Sequence, residues 1–332
     1  MTYADREKIE RLKAVFDTNY RVSNLYSLYL ERCPEIISKE MMDTLMNGAE
    51  FSKEDAIIAL LVEIFSLDET NKDDKNIIKN YLRNSVKILD PKKYTENPYY
   101  KNIKIDNARL DGWEFRLESY LPYRAVVAGD MRIYEDFSEV APLGFFEDEF
   151  HFPAVLENGN EWMTLTPVDI DTCDVAIEKA FGKVITFGLG LGYYAYMVSQ
   201  KDSVDSITVI EKSEKIIKLF CEYILPQFPN KDKVKIINAD AFEYAKREMP
   251  SENFDYAFVD TWRDASDGAP MYKKMKALEK LSPSTKFDYW VEGFLVSRLR
   301  ALKFEKCLQN LEKYASYKDF INELSWENVW NG

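Results

Sequence analysis

Val184-Ile-Thr-Phe-Gly-Leu-Gly-Leu-Gly192 is the stretch on which the reading of this chain turns. An apolar, β-rich run leads straight into three alternating glycines. The next apolar run, Ile207-Thr-Val-Ile-Glu211, ends in a carboxylate 19 residues after Gly192. Glycine removes the side chain where backbone must approach a ligand, and it tolerates positive φ. In an open α/β sheet the first loop and the end of the second strand meet at the carboxyl edge, where ligands bind. Gly188, Gly190 and Gly192 therefore read as a nucleoside cradle, and Glu211 as an acceptor for both ribose hydroxyls. The plainer alternatives are a tight strand-to-helix turn without a ligand and a solvated Glu211 beside Lys212.

Outward from this stretch, strand and helix alternate from about residue 170. Helix is expected over 174–181, strand over 183–188 and helix over 192–199. Strand follows over 206–211, helix over 213–225, strand over 234–237 and helix over 242–247. The series closes with strand over 254–260, helix over 271–281, a fifth strand over 287–292 and a helical tail over 294–325. Such alternation predicts crossover connections and a doubly wound, mostly parallel sheet. Asp240-Ala241 falls at the end of the third strand, placed either to meet an adenine amino group or to cap the next helix. Asp260 ends the fourth strand, where the reacting atoms would lie. It is a candidate to orient the ligand, act as general base, or hold a cation with Asp264 or Glu292.

Two further regions precede this one. Residues 1–90 read as helical: Ile9, Leu12, Val15 and Phe16 recur at helical spacing, and Ser52-Lys-Glu-Asp55 resembles a capping box ahead of an apolar helix. Residues 91–167 read as a small, mostly antiparallel β section, with prolines between aromatic runs and a hairpin-type Asn158-Gly159. The expected division is 1–90, 91–167 and 168–332.

Composition narrows the partners. Of 332 residues, 57 are Asp or Glu and 44 are Lys or Arg, a net charge of −13. Binding to a nucleic-acid backbone relies on Lys and Arg displacing counterions, so nucleic acid is not the expected partner. The four cysteines form no CxxC pair and the chain has one histidine, His151, so no structural zinc site is expected. The cysteines read as buried, reduced thiols. The charged N-terminus is unlike a signal peptide, and no apolar run approaches the ~20 residues of a membrane span. A soluble, cytoplasmic protein is the expectation, with no membrane partner and no assignable oligomeric state.

Residues 183 to about 293 resemble the class I, Rossmann-like S-adenosylmethionine-dependent methyltransferases. Gly188-Leu-Gly-Leu-Gly192 is similar to that family's first motif, Glu211 to its ribose-binding acid, Asp240-Ala241 to its adenine-contacting pair, and Asp260 to its fourth-strand acid. The family often carries an acid two residues before the first glycine, and Thr186 stands there. The resemblance covers about a third of the chain. It implies S-adenosylmethionine as cofactor, contacts from Gly188, Gly190, Gly192, Glu211, Asp240, Ala241 and Asp260, and methyl transfer to a small-molecule acceptor, with Asp260 the first candidate for the base. Two alternatives use the same sheet. One is an aminopropyltransferase, although the Gly-Asp-Gly-Gly loop of spermidine synthases is absent. The other is a nicotinamide-dependent oxidoreductase, against which stands Tyr193 where the dinucleotide pattern has its third glycine. A non-catalytic nucleoside-binding module is the third alternative.

Overall fold

A computed structural model describes residues 1–48, 50–105, 109–110, 112–263 and 265–330. Contacts group the chain into two compact units, each drawn from more than one stretch of sequence. Unit 1 comprises Met1–Asp90, Tyr120–Phe150 and Val296–Gly332; unit 2 comprises Pro91–Ser119 and His151–Leu295.

Unit 1 is mainly helical. Its first helix, Tyr3–Arg32, starts at Thr2, whose hydroxyl accepts the Asp5 N–H at 3.1 Å. Ile9, Leu12 and Phe16 pack with Phe304 and Phe320, and the Phe16 and Phe304 rings stack 3.9 Å apart. Further along, Val22, Tyr26 and Tyr29 join a second core around the helix Lys53–Ile64. That helix begins where the capping pattern predicts: the Ser52 hydroxyl accepts the Asp55 N–H at 3.1 Å. The short strand Val86–Ile88 pairs in parallel with Leu143–Phe145, which pairs antiparallel with Val126–Val127.

Unit 2 carries the glycine stretch. It opens with the short helix Pro91–Thr95, followed by a second, α1 (Pro98–Asn102). The strands β1 (Trp113–Tyr120), β2 (Phe150–Glu157) and β3 (Asn160–Thr164) follow and lie side by side in one sheet. Asn158 and Gly159 turn the β2–β3 hairpin with φ of 52° and 82°, the positive pair a two-residue hairpin loop demands. Then come α2 (Pro167–Lys179), β4 (Gly182–Phe187), α3 (Tyr193–Ser199), β5 (Val204–Glu211) and α4 (Glu214–Tyr223). The series ends with β6 (Val234–Asn238), α5 (Ala241–Arg247), β7 (Tyr256–Val259), α6 (Ala265–Leu278) and β8 (Lys286–Tyr289).

The five strands β4–β8 form a parallel sheet in the order β6-β5-β4-β7-β8. This is the doubly wound α/β architecture the alternation predicts. Val184, Ile185 and Phe187 of β4, and Ala257 and Val259 of β7, are wholly buried. Continuous apolar runs suit strands covered on both faces, and burying each large side chain contributes about 1.5–3 kcal/mol. The chain winds from β4 out to β6, then returns to place β7 on the other side of β4. The switch point therefore lies between β4 and β7, and ligands of such sheets bind there.

Two helices begin earlier than the periodicity suggests. Helix α2 starts at Pro167, a residue suited to a first helical position, rather than near Asp174. Helix α6 starts at Ala265 rather than near Met271 and holds Pro270 in its interior. The cysteines are free; Cys173 and Cys307 are buried and Cys33 is half-buried, but Cys221 faces solvent on α4, against the expectation of four buried thiols. None of the described helices is long and apolar enough to cross a membrane.

Candidate nucleoside site

Gly188 leaves the end of β4 between its two neighbour strands. Its N–H donates to the Ile210 carbonyl of β5 at 2.9 Å, while the Asp260 N–H donates to the Phe187 carbonyl at 2.8 Å. With φ of 103°, a Cβ on Gly188 would sit 1.9 Å from the Asp260 carbonyl oxygen. A side chain there is incompatible with the backbone crossing at the switch point. Gly192, at φ 76°, precedes α3 and lies against the Phe220 ring. Gly190 lies under the Met163 thioether of β3: a Cβ would meet its sulfur at 2.0 Å. A ligand flat on this loop has to move the Met163 side chain.

Glu211 is tied into the loop it faces. Its Oε2 accepts the Leu189 N–H at 3.1 Å, and its Oε1 accepts the Ser213 N–H at 2.6 Å. One carboxylate thus bridges the glycine loop and the turn into α4, and each oxygen has a further lone pair for a hydroxyl. Asp240 caps α5: its Oδ1 accepts the Phe242 and Glu243 N–H groups at 3.0 and 3.1 Å, and Lys212 lies 3.6 Å from Oδ2. Burial pushes its pKa up, but the Glu243 and Phe242 N–H groups and Lys212 outweigh that and hold it below the usual value. The capping role is therefore present, and Ala241 is the first residue of the capped helix.

Asp260 has a different setting. Among the described residues no donor reaches its carboxylate. Burial, and then the Asp169 and Glu211 carboxylates, push its pKa up to about 8. It lines a cavity of about 20 Å³ with Asp169, Thr186, Met163, Tyr193 and Tyr194. That volume holds one water-sized group. Asp169 belongs to the first turn of α2, where its Oδ2 accepts both the N–H and the hydroxyl of Thr166 at 2.7 Å. Burial raises its pKa to about 6 despite those bonds. Among the described residues no lysine or arginine lines the cavity. The Arg263 guanidinium lies 5.0 Å over the Trp162 ring.

A segment far upstream steadies the loop. The Tyr99 hydroxyl donates to the Leu191 carbonyl at 2.6 Å. Asn97 and Asn102 donate from their side-chain amides to the hydroxyls of Tyr193 and Tyr196, at 2.9 and 2.8 Å. Tyr99 also meets both rings edge-on. Sequence reading gave these residues no role, and it missed Asp169. The signal for Asp169 was present as Thr166-Pro-Val-Asp169, a capping-box spacing with proline at the first helical position.

Trp262, His151 and Glu292 are not among the residues that line the cavity. Trp262 is buried and stacks on Tyr289 at 6.3 Å. His151 is exposed on β2. Glu292 accepts the Tyr272 hydroxyl at 2.6 Å and does not line the cavity, and Asp264 lies outside the described residues. Among the described residues, no group of three or more His, Cys, Asp or Glu side chains is placed to hold a metal ion.

No protein-family model matches the chain, and no curated protein sequence matches it. Among solved structures it is similar to spermidine synthase from Thermotoga maritima, with a TM-score of 0.33 and 14% identity over 61% of this chain and 73% of that one. A spermidine synthase in complex with the transition state analogue AdoDATO matches with a TM-score of 0.31, at the same identity and coverage. A likeness this faint decides neither family nor activity, which rest on the site itself.

Proposed function

We propose that unit 2 binds an S-adenosyl sulfonium compound and transfers an alkyl group from its sulfur to a small nucleophilic acceptor. The observation that carries this reading is the charge of the cavity at the glycine loop: two carboxylates, Asp169 and Asp260, and no base among the described residues. A sulfonium is a cation and gains from that field. The pyrophosphate of a nicotinamide dinucleotide is an anion and loses, which speaks against the oxidoreductase alternative. The glycine loop and Glu211 would take the adenosine, with Asp240 and Ala241 at the adenine.

Charge also discriminates between the two transferase readings. The carboxylate of S-adenosylmethionine would have to lie beside Asp169 and Asp260. A decarboxylated donor presents only an ammonium, so aminopropyl transfer is the better fit to this cavity. Methyl transfer, the activity implied by the motif resemblance, is the second reading, which the glycine loop and Glu211 support equally.

Either transfer follows the same steps. The acceptor's lone pair attacks the carbon bound to sulfur, in line with the C–S bond. A new bond forms to the acceptor, the C–S bond breaks, and its electron pair stays on sulfur as a neutral thioether. Holding the partners in line supplies up to about 7–11 kcal/mol of the barrier. The proton released by an amine acceptor passes to Asp260. In the empty cavity that carboxyl is largely protonated at neutral pH; an arriving cation lowers its pKa and leaves it ready to accept.

Isothermal titration with 5′-methylthioadenosine, S-adenosylmethionine, its decarboxylated form and NAD tests the reading. Binding of the adenosyl sulfur compounds, tightest for the decarboxylated donor, is expected. Binding of NAD alone, or of none of the four, refutes it.

A further inference from the structure

The β2–β3 hairpin reaches the glycine loop through the Met163 side chain. The Met163 sulfur and terminal methyl lie where a Cβ on Gly190 would stand. The same side chain walls the cavity of about 20 Å³ together with Gly188, Leu189 and Asp260. Sites that enclose a small organic ligand measure about 300–1,000 Å³, so the space over the loop has to grow before a nucleoside can lie there. The hairpin itself is pinned. Trp162, beside Met163, meets the Trp113 ring of β1 edge-on at 5.1 Å. Trp162 is also the extra residue of a β-bulge: Val155 pairs with Met163 and Leu156 with Glu161, and Trp162 is inserted between the two pairs. A bulge bends and twists its strand, and bulges beside functional sites serve to re-aim a side chain. With the hairpin held at Trp162, the part that has to move is the Met163 side chain.

We infer that Met163 is the gate of the nucleoside cradle: resting on Gly190 it bars the loop, and a ligand is admitted only while its side chain is swung off. The inference rests on the sulfonium-donor reading above and adds how entry to that site is controlled. Methionine suits the role, because it is unbranched, has three rotatable bonds and repacks readily. Met163 is half-buried, so swinging it out gives up only part of its contact area. Rotamer changes of partly exposed side chains are far faster than ligand association. The gate therefore acts as a population. The apparent dissociation constant is the intrinsic one divided by the fraction of molecules whose Met163 is off the loop. Because Met163 and Asp260 wall the same cavity, the position that bars the loop also screens that carboxyl from bulk water.

Stopped-flow binding of 5′-methylthioadenosine separates a gate from an ordinary ligand contact. In Met163→Ala the association rate constant should rise about 3- to 10-fold while the dissociation rate constant stays within about twofold of wild type. Met163→Leu, which keeps the volume on a shorter, branched chain, should associate no faster than wild type. A second readout uses the unaltered chain with carbon-13 at its methionine methyls. The Met163 signal, identified by its loss in Met163→Leu, should shift when the site is saturated with 5′-methylthioadenosine. An unchanged association rate in Met163→Ala, or faster dissociation alone, makes Met163 a contact of the bound ligand and overturns the gate while leaving the donor reading intact. A Met163 signal that stays in place on saturation does the same. If neither wild type nor Met163→Ala binds the compound, the donor reading falls and the gate falls with it.

Discussion

Each unit buries acid, and the two treat it differently. In unit 1, Glu139 faces Arg300 at 3.8 Å, with side-chain exposures of 9% and 5%. Ser297 donates to Glu139 Oε2 at 2.7 Å, and Arg300 Nε donates to the Leu324 carbonyl at 2.9 Å. In unit 2, Asp260 faces Asp169 and Glu211 instead of a base. The chain supplies a counter-charge where an acid only holds structure together. On the proposed reading, where it supplies none, the acid is positioned for a charge that comes from outside. Retaining two such acids destabilises the empty site, which is common where binding matters more than stability.

The sharpest test of this contrast is Asp260→Asn. Turnover with an amine acceptor should fall about 10²- to 10⁴-fold, because the proton acceptor is lost, while stability holds or rises. Steady-state rates and urea denaturation on the same preparation separate the two. A large loss of stability with little change in rate would erase the distinction between the units. Arg300→Ala is the converse: it leaves Glu139 buried without its partner and should cost about 3–5 kcal/mol of stability, read from urea denaturation, with nucleoside affinity unchanged.

The pH dependence should differ in sign from that of an ordinary paired acid. Asp169 and Asp260 have pKa values of about 6 and 8, above the 3.8 of an unperturbed Asp. Between about pH 4 and pH 8 the folded protein holds protons that the unfolded chain has released, so this contribution makes stability fall as pH rises. Denaturation at pH 5, 7 and 9 should show the decline, and Asp260→Asn should flatten its upper limb between pH 6 and 8. Affinity for a cationic ligand should rise over the same range. The smallest effect is expected at Ser52→Ala, which removes one helix cap in unit 1 at about 1 kcal/mol and leaves ligand binding unchanged.

The sheet was legible because its strands are continuous apolar runs bounded by loops; all five appear near their expected positions. The glycine loop and the acids at the strand ends were legible for the same reason, since strand order places them at one edge. Asp169 was not, because the β run ending at Thr164 masked the capping-box spacing Thr166-Pro-Val-Asp169 that starts α2. The anchoring residues Asn97, Tyr99 and Asn102 were not either. Their partners lie more than 90 positions away, and no local periodicity signals such a contact. The negative field of the cavity depends on which side chains converge, a property of the assembled sheet.

The anchoring of the glycine loop has a practical consequence for cutting the gene. A fragment beginning at residue 168 would contain every strand of the parallel sheet, and it would look like a complete Rossmann-like module. It would also strip the Leu191 carbonyl and the Tyr193 and Tyr196 hydroxyls of the partners that Tyr99, Asn97 and Asn102 provide. The loop would then be held by Glu211 and its neighbouring strands alone. A shortened form meant to keep its ligand should start no later than Pro91.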